Sequence, residues 1–276
     1  MQTPLLSASQ LQQMLDSPYL VLLDASPASN ASKLEPSFPG LQLPGARHIN
    51  LKRDFSDPES PLPNTLLSPE AFTKACQKLG INQDSQIVVY DNLGIYTSPR
   101  VWWMFKIMGH DQVAVLDGGQ PAWIKAGLPH EPTREQQVKP GNFVAKYQEG
   151  LEHDANYILE TLGSDELCIL DARSAGRFHG TAPEPRAGLA SGHIPHSRSL
   201  PFKEVLRDGH FLPKTELQEL LQQYQLKNKK LLFTCGSGLT ACIILLACSL
   251  ALDNSLALYD GSWTEWGQLG KPPVEK

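Results

Sequence analysis

Residues 231–252 read LLFTCGSGLTACIILLACSLAL, which sets a cysteine between two apolar runs of different length. Leu231 to Thr234 suits a short buried strand, Ala241 onward suits a helix, and Cys235 to Thr240 is the turn between them. In an open parallel sheet, ligands bind beyond the carboxyl ends of the strands, where the chain turns into the next helix. Cys235 is therefore placed for chemistry. Gly236 and Gly238 lack side chains, which lets the loop fold tightly and turn successive N–H groups inward as an anion nest at the helix N-terminus. That positive end favours a thiolate, so Cys235 reads as a nucleophile with stabilisation built in for an anion attached to it. Ser237 and Thr240 add hydroxyl donors, and Gly236, Ser237, Gly238, Leu239 and Thr240 together form the expected cradle.

Other chemistries fit the same residues less well. Gly-Ser-Gly begins a dinucleotide fingerprint, but its third glycine position is Ala241 and no Lys-Ser/Thr pair follows. A cysteine phosphatase also cradles an anion above a thiolate, yet it wants an arginine at the end of the loop, where this chain has Ala241. Cys76, Cys168, Cys242 and Cys248 sit inside apolar helical or strand patterns and read as small core residues. No Cys-x-x-Cys occurs, and five cysteines cannot all pair, so free thiols in a reducing compartment are expected. His193 and His196 have no third ligand pattern, so no metal is assigned.

The elements that position this loop occur twice. VLLDAS with Asp24 recurs as CILDAR with Asp171, and LPGARHINL recurs as SGHIPHSRSLPF. IVVYD ending at Asp91 recurs as LLFTC ending at Cys235, and VAVLDGGQPAW recurs as LALYDGSWTEW. Four landmarks in one order, offset by about 145 residues, indicate a tandem duplication. Apolar runs that alternate with helical patterns such as SPEAFTKACQKLG predict a parallel sheet flanked by helices on both faces in each half, an α/β class. The polar stretch with three prolines around residues 129–142 predicts a linker, giving domains over 1–132 and 143–276 joined by 133–142. Asp91 stands where the second half has Cys235, and a carboxylate is no sulfur nucleophile, so the first domain is expected to be inactive.

Composition limits the partners. A net charge of −5 gives no basic field for nucleic acid, and 41% apolar residues are enough for ordinary cores. The longest apolar run, Leu239 to Leu252, falls short of the ~20 residues that cross a bilayer, and the first residues show no cationic start with an apolar stretch. A soluble cytoplasmic chain is expected.

With CGSGLTA (235–241), SPRVWWMF (98–105), GRFHGTAPEPR (176–186), SGHIP (191–195) and YDGSWTEW (259–266), the chain resembles the two-domain rhodanese-family sulfurtransferases over nearly its whole length. The uncharged loop after Cys235 is similar to the branch that uses 3-mercaptopyruvate rather than thiosulfate. The resemblance implies that Cys235 takes sulfur as a persulfide, with Ser237 assisting, and passes it to a thiol or cyanide. A thioredoxin-like protein is a candidate acceptor, and no cofactor is needed. It implies further that Arg177 and Arg186 clamp the donor carboxylate, a task a planar guanidinium fork suits, and that Tyr96 lies at the substrate site. Thiosulfate transfer and a non-catalytic binding module remain the alternatives. Gln42 stands where the resemblance leads one to expect a His before Ile-Pro-Gly-Ala, so no proton relay is assigned there.

Overall fold

Apolar runs that end in Asp or Cys can be buried on both faces only as central parallel strands, and they form such strands in both halves. The computed structural model describes residues 1, 3–268 and 272–276 and divides into two compact units. Unit 1 holds Met1–Pro58, Leu66–Gln148 and Asp208–Phe211; unit 2 holds Glu59–Thr65, Glu149–Arg207 and Leu212–Lys276.

In unit 1 a parallel sheet runs, edge to edge, through Leu5–Leu6, Val113–Leu116, Gln86–Tyr90, Leu20–Asp24 and Arg47–His48. Leu22, Val88, Ala114 and Leu116 pack with Leu11 of helix Ala8–Gln12 and Trp123 of helix Gly119–Lys125. Strand alternation sends Val21, Leu23, Ile87, Val89, Val113 and Val115 to the opposite face, where they are buried as well. Helix Ser98–Ile107 packs on the two strands Gln86–Tyr90 and Val113–Leu116. Covering of both faces is the reason these strands carry no polar alternation.

In unit 2 the parallel order is Leu256–Leu258, Lys230–Thr234, Leu167–Asp171 and Arg198–Ser199. Ile169, Leu232 and Ala257 pack with Ile158, Trp263 and Trp266. Helix Ala241–Ala251 lies against Lys230–Thr234, Leu256–Leu258 and helix Lys214–Gln222, and is buried nearly all round, as its unbroken apolar sequence requires. Among the described residues, no helix is long and apolar enough to cross a membrane.

Residues 133–148 do not behave as the sequence leads one to expect of a linker followed by the next domain. They run along unit 1 as a strap, with Gly141 N–H donating to Gln77 O at 2.8 Å, Phe143 N–H to Ile81 O at 3.1 Å and Lys146 N–H to Met108 O at 2.9 Å. Phe143 is wholly buried against the rings of Phe72, Phe105 and His110, and that single apolar anchor offsets the polar composition around it. A Cβ at Gly141 would lie 1.9 Å from Ile81 O, so only glycine lets the strap approach. Equally unforeseen, Glu59–Thr65 from the first half of the sequence belongs to unit 2.

His110, buried beneath this strap, donates from Nε2 to the Ser85 carbonyl at 2.9 Å. Burial pushes its ionisation below the usual histidine range, opposed by that carbonyl. The unfolded chain therefore takes up the proton at higher pH than the folded one, and the stability His110 contributes is present above the ordinary histidine range and lost as pH falls through it. Urea unfolding should show a lower midpoint at about pH 5.5 than at about pH 7.5, with a smaller difference in His110→Gln. An equal difference in that variant contradicts the assignment.

Candidate active site

The strand Lys230–Thr234 delivers Cys235 at its carboxyl end, and helix Ala241–Ala251 begins directly after the loop. Cys235 is only 2% exposed. Gly238 turns the loop at φ +75°, a conformation that costs a side chain about 1–2 kcal/mol. The next strand-to-helix turn fastens the loop from behind. Ser262 Oγ accepts from Cys235 N–H at 3.3 Å and from Gly238 N–H at 3.0 Å, and its hydrogen goes to Tyr259 O at 2.9 Å. Trp263 N–H donates to Cys235 O and Thr264 N–H to Gly236 O, each at 3.0 Å. Among the described residues, the N–H groups of Gly236, Ser237, Leu239 and Thr240 have no protein acceptor. These four amides belong to the loop expected to hold an anion.

The equivalent loop of unit 1 shows what this backbone does with a negative charge. Asp91 ends the strand Gln86–Tyr90 and is fully buried. Its Oδ1 accepts from Leu93 N–H at 3.1 Å. Its Oδ2 accepts from the N–H groups of Tyr96, Thr97 and Ser98 at 2.9, 3.0 and 2.9 Å and from Ser98 Oγ–H at 2.7 Å. Gln120 N–H to Asp91 O at 3.0 Å repeats the bond from Trp263 N–H to Cys235 O. Asp91 thus occupies the place of Cys235, and its own carboxylate fills the nest.

Arg177 reaches the cysteine loop from helix Ala175–Phe178: a Cβ built on Gly236 would meet its Nη2 at 3.0 Å and its Nη1 at 3.6 Å. Glu184 fixes the guanidinium, accepting from Nε at 3.2 Å and Nη2 at 2.6 Å. Glu184 is in turn held by Arg173 Nη1 at 2.9 Å. The Arg173 side chain is 0% exposed; its Nε and Nη2 bond Asp171, Nη2 also bonds Gly192 O, and its guanidinium lies 4.1 Å over the Trp263 ring. Two cations therefore share two carboxylates, which keeps each buried charge paired.

Arg186 is exposed and makes no ion pair among the described residues. Tyr96 belongs to unit 1, where it is buried, its N–H on Asp91 and its hydroxyl 3.3 Å from Ser32 Oγ. Gln42 is fully buried in unit 1, donating from Nε2 to Glu131 at 2.9 Å and accepting from Arg134 N–H at 3.2 Å, so its carboxamide holds the pairing of Leu41–Gln42 with Glu131–Pro132. Burial pushes the thiols of Cys76, Cys168 and Cys248 up, as befits packing residues. His193 stacks on Phe178 at 3.9 Å with Nδ1 2.9 Å from Phe178 O.

Sequence reading missed four residues of this site. Ser262 left a signal, because the duplicate position is Gly119 and both adopt left-handed φ, +50° and +53°. Arg173 left one too, since the duplicated Asp24-Ala25-Ser26 has no cation at the matching place. Glu184 was visible only as an acid between two prolines. Asn64 left none: its Nδ2 donates to Ser237 O at 3.1 Å and to Ser237 Oγ at 3.0 Å across 173 residues of sequence.

The Rhodanese-like domain family matches residues 7–126 and 154–269, and the chain belongs to that family as a two-domain sulfurtransferase-type member. The rat 3-mercaptopyruvate sulfurtransferase is 37% identical over 97% of this chain and 93% of its own length. The Chinese hamster (Cricetulus griseus) thiosulfate sulfurtransferase is 38% identical over 92% of this chain and 87% of its own. Among solved structures, SseA of Escherichia coli, a 3-mercaptopyruvate sulfotransferase, superposes with a TM-score of 0.82 at 31% identity over 95% of this chain and 99% of that one.

Ser262 combines a left-handed backbone with three hydrogen bonds from one oxygen. Ser262→Gly removes the oxygen but suits the backbone, whereas Ser262→Ala removes it and keeps the strain. The alanine variant should be the less stable by about 1–2 kcal/mol in denaturant unfolding, and the reverse order contradicts this account.

Proposed function

We propose that this protein transfers sulfur from 3-mercaptopyruvate through a persulfide on Cys235 to a thiol or cyanide acceptor, releasing pyruvate. The Cys235 thiolate attacks the donor sulfur, an S–S bond forms, and the C–S bond breaks with its electron pair left on carbon as the pyruvate enolate. That enolate takes up one proton. An acceptor thiolate then attacks the outer sulfur, and Cys235 leaves as thiolate. Ser237 and the loop N–H groups stabilise the charge on sulfur in both steps. Unit 1 takes no part as a sulfur carrier, because Asp91 fills its loop.

The observation that carries the choice of donor is Arg177 over Gly236. A guanidinium beside the loop presents a fork to an α-keto carboxylate. Identity alone does not decide between donors, since the relatives include a thiosulfate sulfurtransferase at 38% identity and a 3-mercaptopyruvate sulfurtransferase at 37%. The loop does. A basic side chain at position 236 would start 3.0 Å from Arg177 Nη2 and bring a like charge to the same side of the loop, so a cationic loop is disfavoured by this placement of Arg177. Without loop cations, thiosulfate is a poor donor.

Measured on one preparation, kcat/KM for 3-mercaptopyruvate should exceed that for thiosulfate; turnover of neither favours a binding module. Cys235→Ser should abolish transfer with the circular dichroism unchanged, and residual activity within about tenfold of wild type contradicts the nucleophile.

Arg177→Lys retains the charge but not the fork. It should lower kcat/KM for 3-mercaptopyruvate by about ten- to a hundredfold, as expected for a charge-assisted contact, and unchanged kinetics would place the clamp elsewhere.

A further inference from the structure

Building on the proposed role of Ser237 as a donor to the reacting sulfur, we propose that Asn64 is a positioning residue: its carboxamide fixes the direction of the Ser237 hydroxyl hydrogen and so holds Ser237 as a hydrogen-bond donor. A single nitrogen carries the argument. Asn64 Nδ2 stands 3.1 Å from Ser237 O and 3.0 Å from Ser237 Oγ. A carbonyl oxygen only accepts, so the amide atom facing it must be the nitrogen, which settles the orientation of the Asn64 side chain. That nitrogen offers two hydrogens and no lone pair. One hydrogen goes to the carbonyl and the other to Oγ, so Oγ is the acceptor here and its own hydrogen points elsewhere.

The contact is built into unit 2 at some cost. Asn64 adopts φ +61°, a left-handed conformation that asparagine tolerates better than most residues. The turn around it is closed by the Ser60 and Thr65 hydroxyls, 2.7 Å apart, and by Thr65 Oγ1–H on Leu62 O at 3.1 Å. A carboxamide neither gains nor loses a proton near neutral pH. The orientation it imposes on the Ser237 hydroxyl is therefore the same across that range.

The test is Asn64→Asp, which keeps the shape and tolerates the backbone but replaces the donor by an acceptor. The Ser237 hydroxyl then turns toward the new carboxylate. Relative to wild type, kcat/KM for 3-mercaptopyruvate should fall by about ten- to a hundredfold near pH 8. The ratio should begin to recover as pH falls toward about 4, where the new carboxyl regains a hydrogen to donate. Asn64→Gly removes the amide and keeps the backbone freedom, so it should lose activity by a factor that does not change with pH. In a Ser237→Ala background, Asn64→Asp should change the rate by less than about twofold, the non-additivity expected of one coupled pair. A second readout needs no sulfur donor: the pH midpoint for iodoacetamide alkylation of Cys235 should rise in Asn64→Asp and stay in place when Ser237 is already alanine. If wild type turns over no 3-mercaptopyruvate, the donor assignment fails while alkylation still tests the coupling. Wild-type behaviour of Asn64→Asp in both readouts, or an equal effect with and without Ser237, overturns the proposal.

Discussion

The structure depends on a negative charge held by backbone N–H groups where a parallel strand turns into a helix. Such amides are fixed by the fold, so they stabilise an anion without reorganising. Unit 1 satisfies the requirement internally, with four N–H groups and the Ser98 hydroxyl on the Asp91 carboxylate. Unit 2 keeps the same turn and the same supporting bond from the next helix, but ends its strand in Cys235. Duplication thus supplied two such turns, one filled by the Asp91 carboxylate and one that presents Cys235.

Around the second nest, the buried charges of Asp171, Arg173 and Glu184 are paired with one another. Glu184 ties Arg177 to Arg173, and Arg173 reaches Trp263, whose N–H bonds the Cys235 carbonyl. The cation beside the loop is therefore braced through the same turn that braces the loop. Gly236 completes the arrangement by leaving the space that the Arg177 guanidinium occupies.

What the sequence disclosed was local or repeated. The strand, the Gly-x-Gly turn and the helix around Cys235 are contiguous, so their order alone marks Cys235 as the candidate nucleophile, and the repeated landmarks yield two parallel α/β sheets. Arg177 was legible only through family resemblance, because an arginine four residues from Arg173 on a single-turn helix has no intrinsic address. Contacts between distant segments left no trace: Asn64 meets Ser237 through a segment that crosses to the other unit. Residues 133–148 misled for a different reason, since a strap held by main-chain bonds and one phenylalanine has the composition of a linker. Gln42 shows the reverse, a position marked by resemblance that the fold uses to hold two short strands.

The central claim is that the unit 2 nest holds a persulfide on Cys235 as the unit 1 nest holds a carboxylate. Mass analysis of the intact protein after incubation with 3-mercaptopyruvate, without acceptor, tests it directly. A gain of one sulfur, mapped to the peptide containing Cys235 and removed by cyanide, is the predicted result. No added sulfur under conditions of measurable turnover, or sulfur on Cys76, Cys168, Cys242 or Cys248 instead, would contradict the account.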